Sequence, residues 1–222
     1  MLEREAAEQG ISAAQLIRDA AILRVAAIAA RRGDSELLTS IEELAERGLR
    51  RRSSQQPNGD TRDPERLAAV RAAGLLDAAG DPDFDRLADL ARRMVNAPVA
   101  LVTLIEADRQ VFVSAPGLKE PWASRGETPL AYSFCREAVV CRESFVVNDA
   151  RLDPAVKDSP AIEEMDVVAY LGAPLITSDG HALGALCVID AVPRLWTSDQ
   201  VDMIKTLAAA AVSRIELRVA SK

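Results

Sequence analysis

The chain has 222 residues, 49% hydrophobic and 27% charged, the balance of a globular chain with room for one well-buried domain and a smaller appendage. A formal net charge of −7 excludes a global electrostatic pull toward nucleic acid or an anionic membrane. Its three cysteines, Cys135, Cys141 and Cys187, have no CxxC spacing, which argues against a disulfide framework or zinc site and fits reduced thiols in the cytoplasm.

No signal peptide is visible, and the longest apolar stretch, Ala20 to Ala30, is interrupted by Arg24 and is too short to span a bilayer. Residues 1–49 are Ala-rich and helical in character, and form a candidate dimerisation element. Leu2 to Gln9 reads as helix, Gly10 as a stop, Ser12 as a cap and the following Leu16, Ile17 and Arg18 as a second helix; Leu37, Ile41, Leu44 and Ala45 mark a third. Through Arg52 there are nine arginines and nine acidic residues, so the whole negative charge belongs to the remainder. Residues 50–62 contain no apolar side chain and carry Pro57, Asn58 and Gly59, a linker composition that buries too little to offset its ordering entropy. Arg50 to Arg52 read as a solvated helix end, with an acidic partner as the alternative.

Residues 63–222 alternate legibly between elements. Asp63 and Pro64 open a short helix through Leu67, Val70 and Ala73, stopped at Gly74. Asp81 and Pro82 open a second, with Phe84, Leu87, Ala91, Met94 and Val95 expected on one face. Val99 to Ile105 and Gln110 to Ser114 are expected to pair as antiparallel strands across a short polar turn. A long loop with Pro116, Gly117, Pro121 and Gly126 leads to a helix around Phe134 to Val140. A brief strand, Ser144 to Val147, follows, then Asp149 to Ser159 as loop. Val167 to Ile176 and Ala182 to Ile189 flank Asp179 and Gly180, a strong hairpin signal. Thr197 and Gln200 have capping-box spacing ahead of a last helix, in which Val201, Ile204, Ala208, Ala211 and Ile215 recur at threes and fours. The order predicts an α+β domain: an antiparallel sheet of five or six strands flanked by helices, preceded by the all-helical N-terminal segment.

Several strings, in order, resemble the bacterial GAF domain. They are Glu65-Arg66-Leu67 with Gly74 to Asp77, Phe84 to Leu87, Pro98 to Val102 with Asp108 to Gln110, and Thr128-Pro129 with Phe134-Cys135. The last are Val147 to Ala150 with Asp153-Pro154, and Gly172 to Leu175 with Leu183 to Asp190. The resemblance covers Asp63 to Lys222. It implies a small-molecule pocket between one sheet face and the helices after the long loop, and a dimer built by the first and last helices. It does not name a ligand. The Asn-Lys-Phe-Asp-Glu set of cyclic-nucleotide-binding members is absent. Bilin-binding members place a Cys beside a His, and haem-binding members an axial His in the pocket, whereas the sole histidine here, His181, falls in the expected turn. Haem, bilin and cyclic nucleotide are therefore unsupported.

The N-terminal Gly-Ile-Ser and Leu-Ile-Arg strings resemble, more weakly, the helices of ribbon-helix-helix repressors, which imply a DNA-binding regulator. In that family a strand ahead of the first helix reads the DNA, and Met1 leaves no room for one, so either an upstream piece is missing from this sequence or the remnant serves only to dimerise. Direct DNA binding is thus not expected of this chain, and dimerisation is.

Six residues form the expected ligand site: Tyr132, Ser133, Cys135, Asn148, Asp149 and Asp190. Tyr132 and Ser133 end the long loop, while Asn148, Asp149 and Asp190 stand at strand ends, where binding groups are commonly displayed. Each has a plainer reading as turn or cap chemistry, with Ser133 capping the helix at Phe134. Cys135 opens a helix, where a thiolate is favoured, and could make a redox pair with Cys141. A spacing of six turns them onto different faces, so Cys135 is expected as a small buried hydrophobe, and Cys187 as core.

With one histidine and no GxSxG, HExxH or phosphate-loop string, no nucleophile–base set is visible. The expectation is a cytoplasmic sensory protein that binds a small molecule or partner and signals through a helix-mediated homodimer, without catalysis, metal or membrane. The alternatives are the DNA-binding regulator and a cysteine-dependent methionine sulfoxide reductase, as some members of the resembled family are.

Overall fold

The structure is a computed structural model that describes residues 60–76 and 81–221. The helical segment 1–49, most of the linker 50–62 with Arg50 to Arg52, and the repressor-like strings lie outside the described residues.

Helix α1 (Pro64–Ala72) starts where expected: Asp63 accepts the Glu65 amide at 2.9 Å, and Pro64 at the first position forfeits an N–H that would be unpaired anyway. Helix α2 (Pro82–Met94) repeats the device with Asp81, which accepts the Asp83 amide at 3.0 Å. Its buried face is Phe84, Ala88, Ala91 and Val95; Met94 is 46% exposed, against expectation. The reason is angular. Steps of four, three and four hold the buried set within about 40° of Phe84, whereas Met94 is rotated by roughly 80°.

Strands β1 (Val99–Ile105) and β2 (Arg109–Ser114) pair antiparallel from Ile105 opposite Gln110. The register shifts between Val102 and Thr103, a bulge that re-aims the far end of β2. The long loop contains α3 (Trp122–Arg125), β3 (Glu127–Pro129) and a 3-10 turn at Leu130–Tyr132. Helix α4 (Cys135–Cys141), β4 (Phe145–Val147), a second 3-10 turn (Ala150–Leu152) and α5 (Ala161–Glu164) precede the hairpin of β5 (Ala169–Ile176) and β6 (Ala182–Asp190). The hairpin turn needs Gly180, whose φ of 86° is a left-handed value that glycine adopts without Cβ strain. Helix α6 (Ser198–Ala220) begins with a complete capping box, Thr197 accepting the Gln200 amide and the Gln200 side chain accepting the Thr197 amide.

The six strands form one sheet in the order β3-β2-β1-β6-β5-β4, with every pairing antiparallel. Period-two alternation splits the apolar side chains into two cores. On one face Val102, Leu104, Leu171 and Leu186 meet Val70, Phe84, Ala88, Ile204, Ala211 and Ile215 of α1, α2 and α6. Arg218 pairs with Asp81 at 2.7 Å and Arg214 with Asp83, so the end of α6 is hooked to the start of α2. On the other face Leu101, Ile105, Phe112, Tyr170 and Cys187 meet Phe134, Cys135 and Val139 of α4 and its approach, together with Ala150, Val156 and Ala161. No described helix is long and apolar enough to cross a membrane.

Candidate functional site

The second core has an unusual centre. Tyr170 of β5 is 1% exposed, and its ring lies against Phe134 (centroids 5.6 Å apart) and Phe145 (5.9 Å). It reaches its place by lying over Gly172, where a Cβ would stand 2.1 Å from the tyrosine oxygen. From there the phenol donates to Cys135 Sγ at 3.3 Å, and Cys135 Sγ stands 3.5 Å from Cys187 Sγ, both thiols free and buried. Hydrogen bonding from Cys187, reinforced by Thr103 and Tyr170, holds the Cys135 thiol below its ordinary pKa despite burial. Burial pushes both Cys187 and Tyr170 up, so Cys135 is the member of the cluster that ionises first.

Beside this centre sits a polar shelf. Gln110 and Thr128 are register partners on β2 and β3, 3% and 1% exposed, and Ser133 is 6% exposed. The Ser133 hydroxyl donates to Gln110 Oε1 and accepts the Arg136 amide at 3.1 Å, capping the first turn of α4. Thr128 Oγ1 is buried without a hydrogen-bond partner among the described residues, a costly state for a hydroxyl.

The cover over this face is a strap. The Trp122 indole donates to the Glu164 carbonyl oxygen at 3.1 Å, and the Tyr132 hydroxyl donates to Glu164 Oε1 at 2.9 Å, with the two rings 5.2 Å apart. Lys119 pairs with Asp166 at 2.6 Å, and Ser159 Oγ donates to the Ala131 carbonyl at 3.1 Å. These contacts tie the long loop to the segment around α5.

The six expected ligand residues divide between two places. Tyr132, Ser133 and Cys135 contribute to the strap, the shelf and the thiol centre. The polar atoms of Asn148, Asp149 and Asp190 are turned to the protein's own chain. Asp190 accepts from Arg194 Nε at 2.6 Å, and Arg194 also donates to the Val95 carbonyl at 2.9 Å. Asn148 accepts the Arg194 amide through its carbonyl and the Trp196 amide through Oδ1, and the Trp196 indole donates to the Val147 carbonyl. Asp149 caps the second 3-10 turn and pairs with Arg151, which holds its carboxyl below the usual range. Together these bonds fasten the connection between β6 and α6 to β4 and to the end of α2.

Cys141 is half-buried at the end of α4 and faces elsewhere than Cys135, as the spacing of six requires. The neighbour of Cys135 is instead Cys187, 52 positions away, a proximity that no local periodicity encodes. Gln110, Thr128 and Tyr170 were also not singled out from sequence, because an isolated polar residue in an apolar strand carries no motif. Large side chains fill the centre of the face where the family resemblance puts a pocket, and a cavity of about 570 Å³ opens elsewhere, between α2, the end of β2 and α3. It is lined by Asp85, Arg86, Asp89, Ser114 and Pro116 among others, and the bulge in β2 directs Ser114 Oγ to Asp85 at 2.5 Å. No group of three or more His, Cys, Asp or Glu side chains suited to a metal ion occurs among the described residues.

Comparison with known proteins gives one family: the model of the GAF domain matches residues 81–215. A cyclic di-GMP phosphodiesterase of Pseudomonas aeruginosa is 36% identical over 152 residues, covering 68% of this chain. The matched region is 25% of that protein's length. Among solved structures, the GAF domain of a phosphoenolpyruvate-protein phosphotransferase from Coxiella burnetii superposes with a TM-score of 0.54 at 19% identity, covering 70% of this chain and 95% of that one. A type II free methionine-R-sulfoxide reductase from Thermoplasma acidophilum gives 0.51 at 11% identity, covering 67% and 96%. At such identities the two structures attest the fold alone.

Proposed function

Because the chain belongs to the GAF domain family, we propose that residues 63–222 act as a sensory module that binds a small molecule or partner, signals through a dimer and catalyses no reaction. The observation that carries this reading is the inequality of the two sheet faces. One is sealed by the 13-residue α2 and 23-residue α6, hooked to each other by ion pairs. The other is covered by helices of four and seven residues and by loops. Its strap is closed largely through solvent-exposed polar contacts, and Lys119 and Asp166 are 72% and 54% exposed. Exposed pairs contribute only about 0–1 kcal/mol each, so this cover is the part of the domain that opens at least cost.

Behind the strap, the Thr128 hydroxyl lacks a partner among the described residues, and Ser133 donates to Gln110 across the shelf. A ligand with one hydrogen-bond acceptor and a flat apolar part would satisfy the threonine and displace the Tyr132–Glu164 bond. Helix α6 leaves Thr206, Ala210, Ser213 and Leu217 exposed along one side, a surface of small and apolar residues suited to a second copy. Occupancy behind the strap would reach that helix through the shared sheet. The likeness to a quarter of a longer phosphodiesterase is compatible with a regulatory module; a cytoplasmic place, without DNA or membrane as partner, is part of the same proposal.

Native mass spectrometry of the chain purified under reducing conditions from its own host tests the proposal. The expected species is a dimer carrying a stoichiometric extra mass, and the expected turnover of added cyclic di-GMP is nil. A monomer of bare polypeptide mass, or hydrolysis of the dinucleotide, would overturn it.

A further inference from the structure

Cys135 opens α4 and Cys187 lies in β6, and the fold brings their sulfurs to 3.5 Å in a site where the two residues are 2% and 0% exposed. A disulfide needs about 2.05 Å, so the approach still required is roughly 1.5 Å. Turns about the two χ1 angles and an inward shift of the short α4 are the movements that would have to supply it. Two thiols packed only as small hydrophobes would need no polar neighbour. Here the Tyr170 phenol donates to Cys135 Sγ from a ring position cleared by Gly172 and fixed by Phe134 and Phe145.

We propose that Cys135 and Cys187 are an oxidisable dithiol, closed by hydrogen peroxide to an intramolecular disulfide that staples α4 to β6. In the first step the Cys135 thiolate attacks a peroxide oxygen; the O–O bond breaks, Cys135 becomes a sulfenic acid and hydroxide leaves. In the second, Cys187 sulfur attacks the sulfenic sulfur; the S–S bond forms, the S–O bond breaks, and the Cys187 proton leaves with the hydroxyl as water. The two thiols lose two electrons and two protons, and one peroxide becomes two waters. Peroxide is small enough to enter when the strap over this face opens. Cys141 serves as the internal control. It is more accessible than the pair, yet burial, Glu137 and Glu143 push its thiol up, which makes it the poorer nucleophile. The inference stands whether or not a ligand binds behind the strap.

The full chain is treated with hydrogen peroxide while folded, then unfolded, alkylated and digested without reductant. The expected result is an intact mass lower by about 2 Da before alkylation, then a linked peptide pair carrying Cys135 and Cys187, and loss of the link on adding dithiothreitol. Cys141→Ser is expected to leave the link unchanged. Cys187→Ser is expected to abolish it and leave Cys135 as a sulfenic acid trapped by dimedone. The oxidised wild type is expected to melt about 10 °C higher than the reduced form, since the link closes a long loop in the unfolded chain. Oxidation confined to Cys141, or recovery of both Cys135 and Cys187 as alkylated thiols, overturns the proposal. The wild-type peptide map decides this without relying on any variant's folding.

Discussion

Replacing Gly172 by alanine isolates the packing at the thiol centre, because the size of the effect depends on one neighbour. The added Cβ would lie 2.1 Å from the Tyr170 oxygen, 2.6 Å from Cζ and 2.9 Å from Cε1. All three are below ordinary van der Waals contact, and the ring cannot retreat because Phe134 and Phe145 hold it. Overpacking of this kind costs about 1–3 kcal/mol, and the upper end is expected here because the phenol must also leave Cys135. In a Tyr170→Ala background, itself destabilised by about 3–5 kcal/mol, the obstacle is gone. There Gly172→Ala should be neutral or stabilising by about 0.5 kcal/mol, because glycine within a strand is the worse residue. In a Tyr170→Phe background Cζ and Cε1 remain, so most of the penalty should persist. Urea unfolding of the four proteins of the alanine cycle, with shared m-values, gives the coupling, expected at about 3 kcal/mol. Equal cost of Gly172→Ala with and without the tyrosine ring would refute the reasoning.

Other features give their own tests. Thr197→Ala removes half of the capping box of α6 and should cost about 1 kcal/mol in the same urea assay; an unchanged midpoint would mean the cap is idle. Glu164→Ala removes the acceptor for the exposed Tyr132 hydroxyl. It should change global stability by less than about 0.5 kcal/mol while speeding hydrogen exchange across residues 119–133 and 159–168; unchanged exchange there would deny the strap its gating role. Asp149, held low by Arg151, has a folded pKa below its unfolded value, so its contribution is present above the unfolded pKa and fades as pH falls through the folded one. Arg151→Ala should therefore flatten the acid limb of the stability–pH curve, and a limb of unchanged slope would remove this pair from the account.

The large elements were legible because each repeats a physical signal over many residues. Val99 to Ile105 is a β-branched run found as a strand at those bounds, and the Thr197–Gln200 spacing marks the start of α6. The elements that shape the site were not. Helix α3, β3 and α5 have three or four residues, too few for a period of two or 3.6 to declare itself, and they are held by distant partners such as Trp122 with Glu164. Cys135, Ser133 and Tyr132 were picked out from position alone. Their partners Cys187, Gln110 and Glu164 come from other parts of the chain, and only the tertiary fold brings them together. Asn148 and Asp190 stood at strand ends as expected, but a strand end can fasten its own connection as readily as it greets a ligand.

The ion pair between Arg218 and Asp81 sets the last turn of α6 beside the N-cap of α2. The two longest helices are thereby clasped at one end, in addition to their packing in the first core. The clasp makes α6 a lever pivoted near its last turns. At about 1.5 Å per residue its 23 residues reach roughly 34 Å, so a tilt of a few degrees about the clasp moves the capping box at Thr197 by about 2 Å.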